Sequence, residues 1–496
     1  MKNITLTILL TAALISGSIS LFNIYGPHSS PANEPSVPSA GSPQGQTNGS
    51  SAISQLSPDT NPIADSPEAA DFRVKAQSGD IDAAKRLGFL YANGEKVPKS
   101  LPEADYWLQF AAAHGDLCAE GGIKFYELNG DKSPASAISA FQLFLRAANQ
   151  GDAVAQRMVG VCFWNGTGVR KDVTQSVFWY QKAADQGSAG DQCSMGHFYQ
   201  YGLGVVKDDV QAASWFKKAA LQGDADAQNA LGDAYYAGEG VTKDDVEAVN
   251  WWQKAANQGY ARAQFSLGEA YENGIGLPKD DVEAVTWWEK AANLGNADAQ
   301  YDLGVAYANG NGGLAKDDAQ AFGWFQKAAD QGNPEAECQV GASYESGVGV
   351  IKDDSQSFGW FKKAADQGST TGEWFVGNMY MSGVGVPKDY NQGFNWLQKS
   401  ADQGNAAAET RLGIIYLQGE GVTKDDGQAI GWFQKGADQG DADAQDELGW
   451  MYENGKSIPV DLKQAKGWYQ KAAAQGNTDA QAALNRLPAT ISAHAQ

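Results

Sequence analysis

The chain of 496 residues carries a net charge of −22, with 43% hydrophobic and 19% charged side chains. That supplies ample apolar material for folding, while so acidic a surface repels phosphate backbones and anionic lipid headgroups and excludes nucleic acid as a partner. The four cysteines, Cys118, Cys162, Cys193 and Cys338, fall in no Cys-x-x-Cys pair, so no metal or cofactor site is signalled. They read as small buried hydrophobes, with a Cys162–Cys193 bridge as the alternative.

Met1-Lys2-Asn3 is a short basic start, residues 4–15 are apolar, and Ser16-Gly17-Ser18 offers small residues for cleavage. Residues 1–25 therefore read as a secretory signal peptide, with an uncleaved N-terminal membrane anchor as the alternative and the one means of membrane contact. The remainder is expected to be exported, periplasmic or secreted. Residues 26–67 are rich in Ser, Pro, Gly, Asn and Gln and cannot bury enough apolar surface to offset chain entropy, so a disordered linker is expected. Residues 68–79 resemble a degraded second half-repeat with Phe72 as its aromatic, and are expected to cap an array.

Residues 80–476 hold eleven repeats. Their closing glycines, from Gly79, Gly115 and Gly151 through to Gly440 and Gly476, are spaced 36 residues apart, with one interval of 37 where Gly312-Gly313 lengthens a loop. Self-similarity at this period identifies a stacked array, which grows by adding units rather than by enlarging one core. Residues 477–488 form a first helix without its partner, an expected C-terminal cap, and 489–496 a frayed tail.

The copy from Asp224 to Gly259 shows the design. Ala227, Leu231 and Tyr235 recur at i, i+4 and i+8, the stripe of an amphipathic first helix. Asp224 is placed to cap it and Gly238 to end it in the left-handed conformation. Gly232 gives a partner helix room to approach closely. Asp244-Asp245 then starts a second helix whose inner face carries Ala248, Trp251, Trp252, Ala255 and Ala256. The Trp251 position recurs as Trp107, Trp179, Trp215, Trp287, Trp324, Trp360, Trp396, Trp432 and Trp468, and once as Leu143. Burying an indole contributes on the order of 3 kcal/mol, and facing alanine pairs are expected to form the slot it fills. The recurrent Asp pairs read as helix caps, with weak calcium binding as the alternative.

The pattern Ala-x-Ala-Gln-x-x-Leu-Gly-x-x-Tyr, Gly-x-Gly-Val-x-Lys-Asp-Asp, Ala-x-x-Trp-x-x-Lys-Ala-Ala-x-Gln-Gly resembles the Sel1-like repeat. What the resemblance implies is an all-α fold: a right-handed α/α superhelical solenoid of about eleven 36-residue tetratricopeptide-like helix pairs, used to bind or bridge proteins. Some secreted members carry a cysteine pair in each repeat and are associated with penicillin. This chain lacks that pattern, so their disulfides do not carry over.

Little catalytic chemistry is visible, and no catalytic residue is assigned. Ser214-Trp-Phe-Lys217 matches Ser-x-x-Lys, but neither Ser-Asp-Asn nor Lys-Thr-Gly accompanies it. His114 and His197 stand alone. An envelope hydrolase or penicillin-interacting enzyme, and a passive spacer, are the alternatives to a binding role. Numbering each repeat from the residue after its closing glycine, positions 6, 10 and 13 lie opposite the core set 4, 8 and 12 at 100° per residue. These positions vary freely and include Arg157, Trp164, Tyr236, Phe265, Tyr301, Trp374, Asn378, Met381 and Trp450. First helices line the concave face in arrays of this type. This stripe is therefore expected to bind a protein or peptide partner, neutral or basic, without turnover or cofactor.

Overall fold

A computed structural model describes residues 66–94, 97–128, 130 and 133–487. The signal or anchor segment, the linker up to residue 65 and the tail after Leu487 lie outside the described residues, among which no helix is long and apolar enough to cross a membrane. The chain divides into two compact units, Met1–Lys243 and Asp244–Gln496. Among the described residues the first holds ten helices, from Pro67–Gln77 to Ala225–Ala237, and the second fourteen, from Asp245–Asn257 to Thr478–Arg486. Within each unit successive helices pack against one another in chain order, giving an α/α solenoid.

Local sequence sets each helix end. Before the first helix Ala406–Gln418, the Asn405 side chain accepts from the Ala408 N–H at 3.1 Å. The helix stops at Gly419, whose φ of 76° suits glycine. The second helix, Asp426–Asp438, starts under Asp425, which accepts from the Gln428 N–H at 2.9 Å. The Asp425 N–H in turn donates to the Tyr416 carbonyl at 3.0 Å and pins the loop back onto the first helix. The Asp pairs are thereby divided in role. The first member caps, as with Asp208, Asp280, Asp317 and Asp353, and the second pairs with the lysine two residues before it, as Asp281 does with Lys279 at 3.0 Å.

The two helices of a repeat meet at the packing glycine. A methyl group added to Gly304 would lie 2.6 Å from the Phe325 ring, one on Gly413 2.5 Å from Phe433, and one on Gly196 2.4 Å from Phe216. No real side chain tolerates such distances, so glycine is what admits the ring. The ring belongs to the residue after the recurrent tryptophan, which corrects the sequence-based expectation. Phe144, Phe216, Phe361, Phe433 and Tyr469 are the large, fully buried side chains of the second helices.

The tryptophans sit one step outward. Trp107, Trp179, Trp215, Trp251 and Trp287 are buried, whereas Trp324, Trp360, Trp396, Trp432 and Trp468 are half-buried. Each of these latter five packs on a cluster shared by the preceding repeat and the first helix of its own, as Trp360 does on the cluster containing Phe325 and Val340. The lysine three residues on covers the outer ring face, with Nζ 3.5 Å from the centroid for Lys254 over Trp251, Lys327 over Trp324 and Lys363 over Trp360. A cation over an exposed ring face contributes about 0.5–1 kcal/mol. The indoles thus join repeat to repeat, and the residues beside them join helix to helix.

A buried amide ladder satisfies the polar groups of the same layer. Gln156, Gln192, Gln264, Gln300 and Gln445 each donate through Nε2 to the carbonyl eight residues earlier, at 3.0–3.2 Å. Their Oε1 atoms accept from the closing glutamine of the same repeat where it exists: Gln186, Gln222, Gln331 and Gln475, at 2.7–3.0 Å. In one repeat Leu294 takes that closing place, and Gln264 Oε1 is buried without a protein partner. All four cysteines are buried free thiols, so the Cys162–Cys193 bridge does not form.

Restoring the missing rung gives a first prediction. Leu294→Gln should raise stability by about 1 kcal/mol, read as a higher urea midpoint; an unchanged midpoint would remove the ladder's energetic role. Two glycine substitutions should differ in sign. Gly268→Ala drives a methyl to 2.3 Å from the Trp288 ring, and overpacking costs about 1–3 kcal/mol. Gly359→Ala meets open space and should gain about 1 kcal/mol of helix propensity. Thermal melts of the two variants test the contrast.

Candidate functional site

An interior helix of a stack has neighbours before and behind it, so its covered surface is wider than one amphipathic stripe. The variable positions must be judged against that. Met381 is 3% exposed and belongs to the cluster with Leu397 of its own repeat and Leu412 and Ile415 of the following one. It is a core residue, which corrects its expected place on a binding surface. Trp374 packs on the same cluster, its indole N–H buried without an acceptor, and Asn378 donates to the Trp374 carbonyl at 3.0 Å within its own helix. These three come together, but largely as packing between layers.

The other stripe residues are spread through both units. In the first, Arg157 is half-buried and pairs with Asp191 at 3.3 Å. Trp164 lies on the cluster containing Phe198, 5.7 Å between ring centroids. Tyr236 is 39% exposed, with Lys243 over its ring. In the second unit, Phe265 packs on the cluster containing Leu303, and Tyr301 on that containing Phe325. Ser214 and Lys217 are both exposed on the helix Asp209–Leu221, away from its inner face.

Trp450 is different, because it borders open space. An open cleft of 290 Å³ is lined by Leu417, Asp446, Glu447, Trp450, Tyr469, Asp479, Ala483 and Arg486. Burial and the neighbouring Asp479 and Asp443 push the Asp446 carboxyl up to about 6, against the pull of Arg486. Glu447 is raised as well, by burial and by Asp446. Arg486 is held instead by Glu453 at 2.7 Å, and Glu453 also accepts from the Tyr469 hydroxyl at 2.8 Å. One face of the cleft is therefore a neutralised structural pair and the other an acid cluster beside an indole.

A second acid cluster lies partly on the same stripe, with Glu269 at position 10 and Asp302 beside it at position 7. Glu269 and Asp302, from the first helices Ala261–Asn273 and Ala297–Asn309, are both raised. Burial is the largest cause for each, followed by repulsion from Glu272 at Glu269 and from Glu269 at Asp302. Like charges this close cannot both ionise freely, which favours retention of a proton by one member.

Comparison with known proteins then fixes the family. The model of the Sel1 repeat matches eleven segments, 81–116, 122–152, 153–188, 191–224, 225–260, 261–296, 297–333, 334–369, 371–405, 406–441 and 442–477. The chain belongs to the Sel1 repeat family. Among solved structures this Sel1 repeat protein is similar to a protective antigen present in uropathogenic Escherichia coli strains that displays an SLR fold. The two are 34% identical over 85% of this chain and 91% of that one, with a TM-score of 0.65. A Sel1 repeat protein from Oxalobacter formigenes is 35% identical over 62% of this chain and 89% of its own, with a TM-score of 0.46. No curated protein matches. Repeat proteins of this kind are protein-interaction scaffolds, and the glycine, tryptophan and glutamine positions described above form the repeat's frame.

The carboxyl pair makes a pH prediction. Both groups are raised above their unfolded values, so the stability they contribute is complete below the ordinary carboxylate range and is lost as pH rises through the raised values. The melting temperature of the second unit should therefore fall between about pH 5 and about pH 8. Asp302→Asn, which removes one charge, should flatten the fall; a slope equal to the wild type would rule out the retained proton.

Proposed function

We propose that this Sel1 repeat protein is an exported scaffold that holds a basic segment of a partner protein against the first helices of its second unit, without turnover. The observation that carries this reading is the cleft at Trp450, where Asp446, Glu447 and Asp479 surround an indole. A lysine or arginine side chain suits such a place, since its cation can lie on the ring and meet carboxylates that otherwise repel one another. The net charge of −22 supports the same preference at longer range, by steering basic partners toward the surface. Export rests on the basic start, apolar run and small residues of the first eighteen positions. The inner face formed by first helices is the proposed surface, with Phe265, Tyr301 and Trp374 as half-buried floor and Asn378 beside them.

Proton linkage gives this reading a signature. A bound cation favours ionised Asp446, whose carboxyl titrates near 6 in the free protein. Binding should therefore tighten as pH rises through that value and weaken as it falls. Trp450 also packs on the layers around Tyr469 and Leu448, so its truncation would disturb folding as well as contact. Charge reversal is the cleaner change. Capture of the partner from an envelope extract by the immobilised full chain should weaken about tenfold or more in Asp446→Lys, with the thermal melt little altered. Equal capture by wild type and variant, at both ends of the pH range, would exclude the cleft.

A further inference from the structure

We propose that Cys193, His197 and Asp226 form a site for a divalent metal of borderline softness, zinc above all, that ties together the first helices of two consecutive repeats. Cys193 and His197 occupy repeat positions 6 and 10, on the helix Ala189–Tyr201, one turn apart and therefore on one face. Asp226 stands in the first turn of the helix Ala225–Ala237. The Cys193 Sγ lies 3.5 Å from Asp226 Oδ2, and His197 Nε2 lies 3.2 Å from the same oxygen. The three donor atoms are all within 4.8 Å of one another.

The two separations to Asp226 are those a tetrahedral ion requires. Zinc bonds of about 2.3 Å to sulfur and about 2.0–2.1 Å to nitrogen and oxygen place sulfur and oxygen ~3.5 Å apart, and nitrogen and oxygen ~3.3 Å apart. The ion could thus replace the bridging protons with little movement of the side chains. A thiolate, an imidazole and a single carboxylate are ligands for zinc and its neighbours in the transition series, and poor ones for magnesium or calcium.

Around the ligands the structure supplies the supports that such sites use. His197 Nδ1 is 3.3 Å from Gln200 Oε1, an acceptor that keeps a proton on Nδ1 and directs Nε2 toward Asp226, where a metal can take the place of its proton. The imidazole is further held edge-on to Phe216 and stacked with Tyr201. Cys193 is buried, while the His197 and Asp226 side chains are 17% and 38% exposed, so an ion can enter from solvent and water can take its fourth position. Binding releases two protons to solvent, the thiol proton as the sulfur–metal bond forms and the Nε2 proton as the nitrogen–metal bond forms.

The chain carries its own control. Cys338 occupies the same position 6 in another repeat, but Ala342 stands where His197 would be and Thr371 where Asp226 would be, and its thiol lies 3.6 Å from the Ser369 hydroxyl. No other repeat combines a cysteine at position 6 with a histidine at position 10.

The test is cobalt(II) titration of the full-length, chelator-treated protein. One equivalent should give a thiolate-to-cobalt charge-transfer band and visible bands of four-coordinate intensity, both displaced by zinc. Cys193→Ala should abolish the charge-transfer band, and Cys338→Ala should leave it unchanged. His197→Gln and Asp226→Asn retain the thiol at less buried positions, so they remain informative if Cys193→Ala folds poorly; each should weaken binding about tenfold or more. Gln200→Leu keeps every ligand and should still weaken it about tenfold. Absence of the band at stoichiometric cobalt, or its survival in Cys193→Ala, would overturn the proposal and leave a proton-bridged cluster.

Discussion

How closely a first helix may approach its second helix is the constraint on which both units depend. At the packing glycine the distance left for a side chain is shorter than any methyl accepts, and a ring from the facing helix fills it. Burial of that ring on an alanine-rich surface is what makes a pair of thirteen-residue helices stable, since helices of this length are marginal alone. The contact also fixes the angle at which the second helix leaves. That places the neighbouring indole at the junction between its own first helix and the preceding repeat. One glycine therefore governs two interfaces: the one it touches, and the one that its partner's neighbour completes.

The polar groups of the stack are arranged around this packing. A glutamine in the first helix bonds backward to the previous second helix and accepts forward from its own repeat's end, so a single amide binds three chain segments. Glu337, Glu373 and Glu409 replace it in three repeats, where each accepts from the closing glutamine but has no amide hydrogen to give to a carbonyl. Burial raises the carboxyl of each, with the closing glutamine or a nearby lysine opposing. Charge is thus tolerated inside the ladder, and concentrated on and beside the variable stripe at Glu269, Asp302 and Asp446, where like charges meet. A frame that is satisfied and a stripe that is not are what a scaffold awaiting a cationic partner would combine.

Much of the fold was legible because its signals are local. Caps such as Asp224 and Asp425, stops such as Gly238 and Gly419, and the period itself all act within a few residues. The core assignment slipped by one place because adjacent residues in a helix differ by only 100°, and both Trp251 and Trp252 lie on a covered side. Repetition drew the eye to tryptophan, whereas depth belongs to the less uniform Phe, Tyr, Leu or Trp that follows it. The stripe was harder, since a helical wheel knows one partner and a stacked helix has several; Met381 fell on the wrong side for that reason. The cluster at Cys193 was invisible for another. Its histidine is four residues away, but its carboxylate comes from the next repeat, and only the stacking distance brings Asp226 within reach.

The leucine at position 294 has a further consequence. In a linear stack each layer is held only by its neighbours, so the whole is no more cohesive than its weakest joint. Where Gln264 lacks its donor, water must enter to solvate the amide or the amide must stay unsatisfied. Under tension, or during slow breathing, the array should part first at this layer, shedding load there while the repeats on either side stay folded. The same loose joint would let the two flanks adjust their pitch to a partner that does not match them at rest.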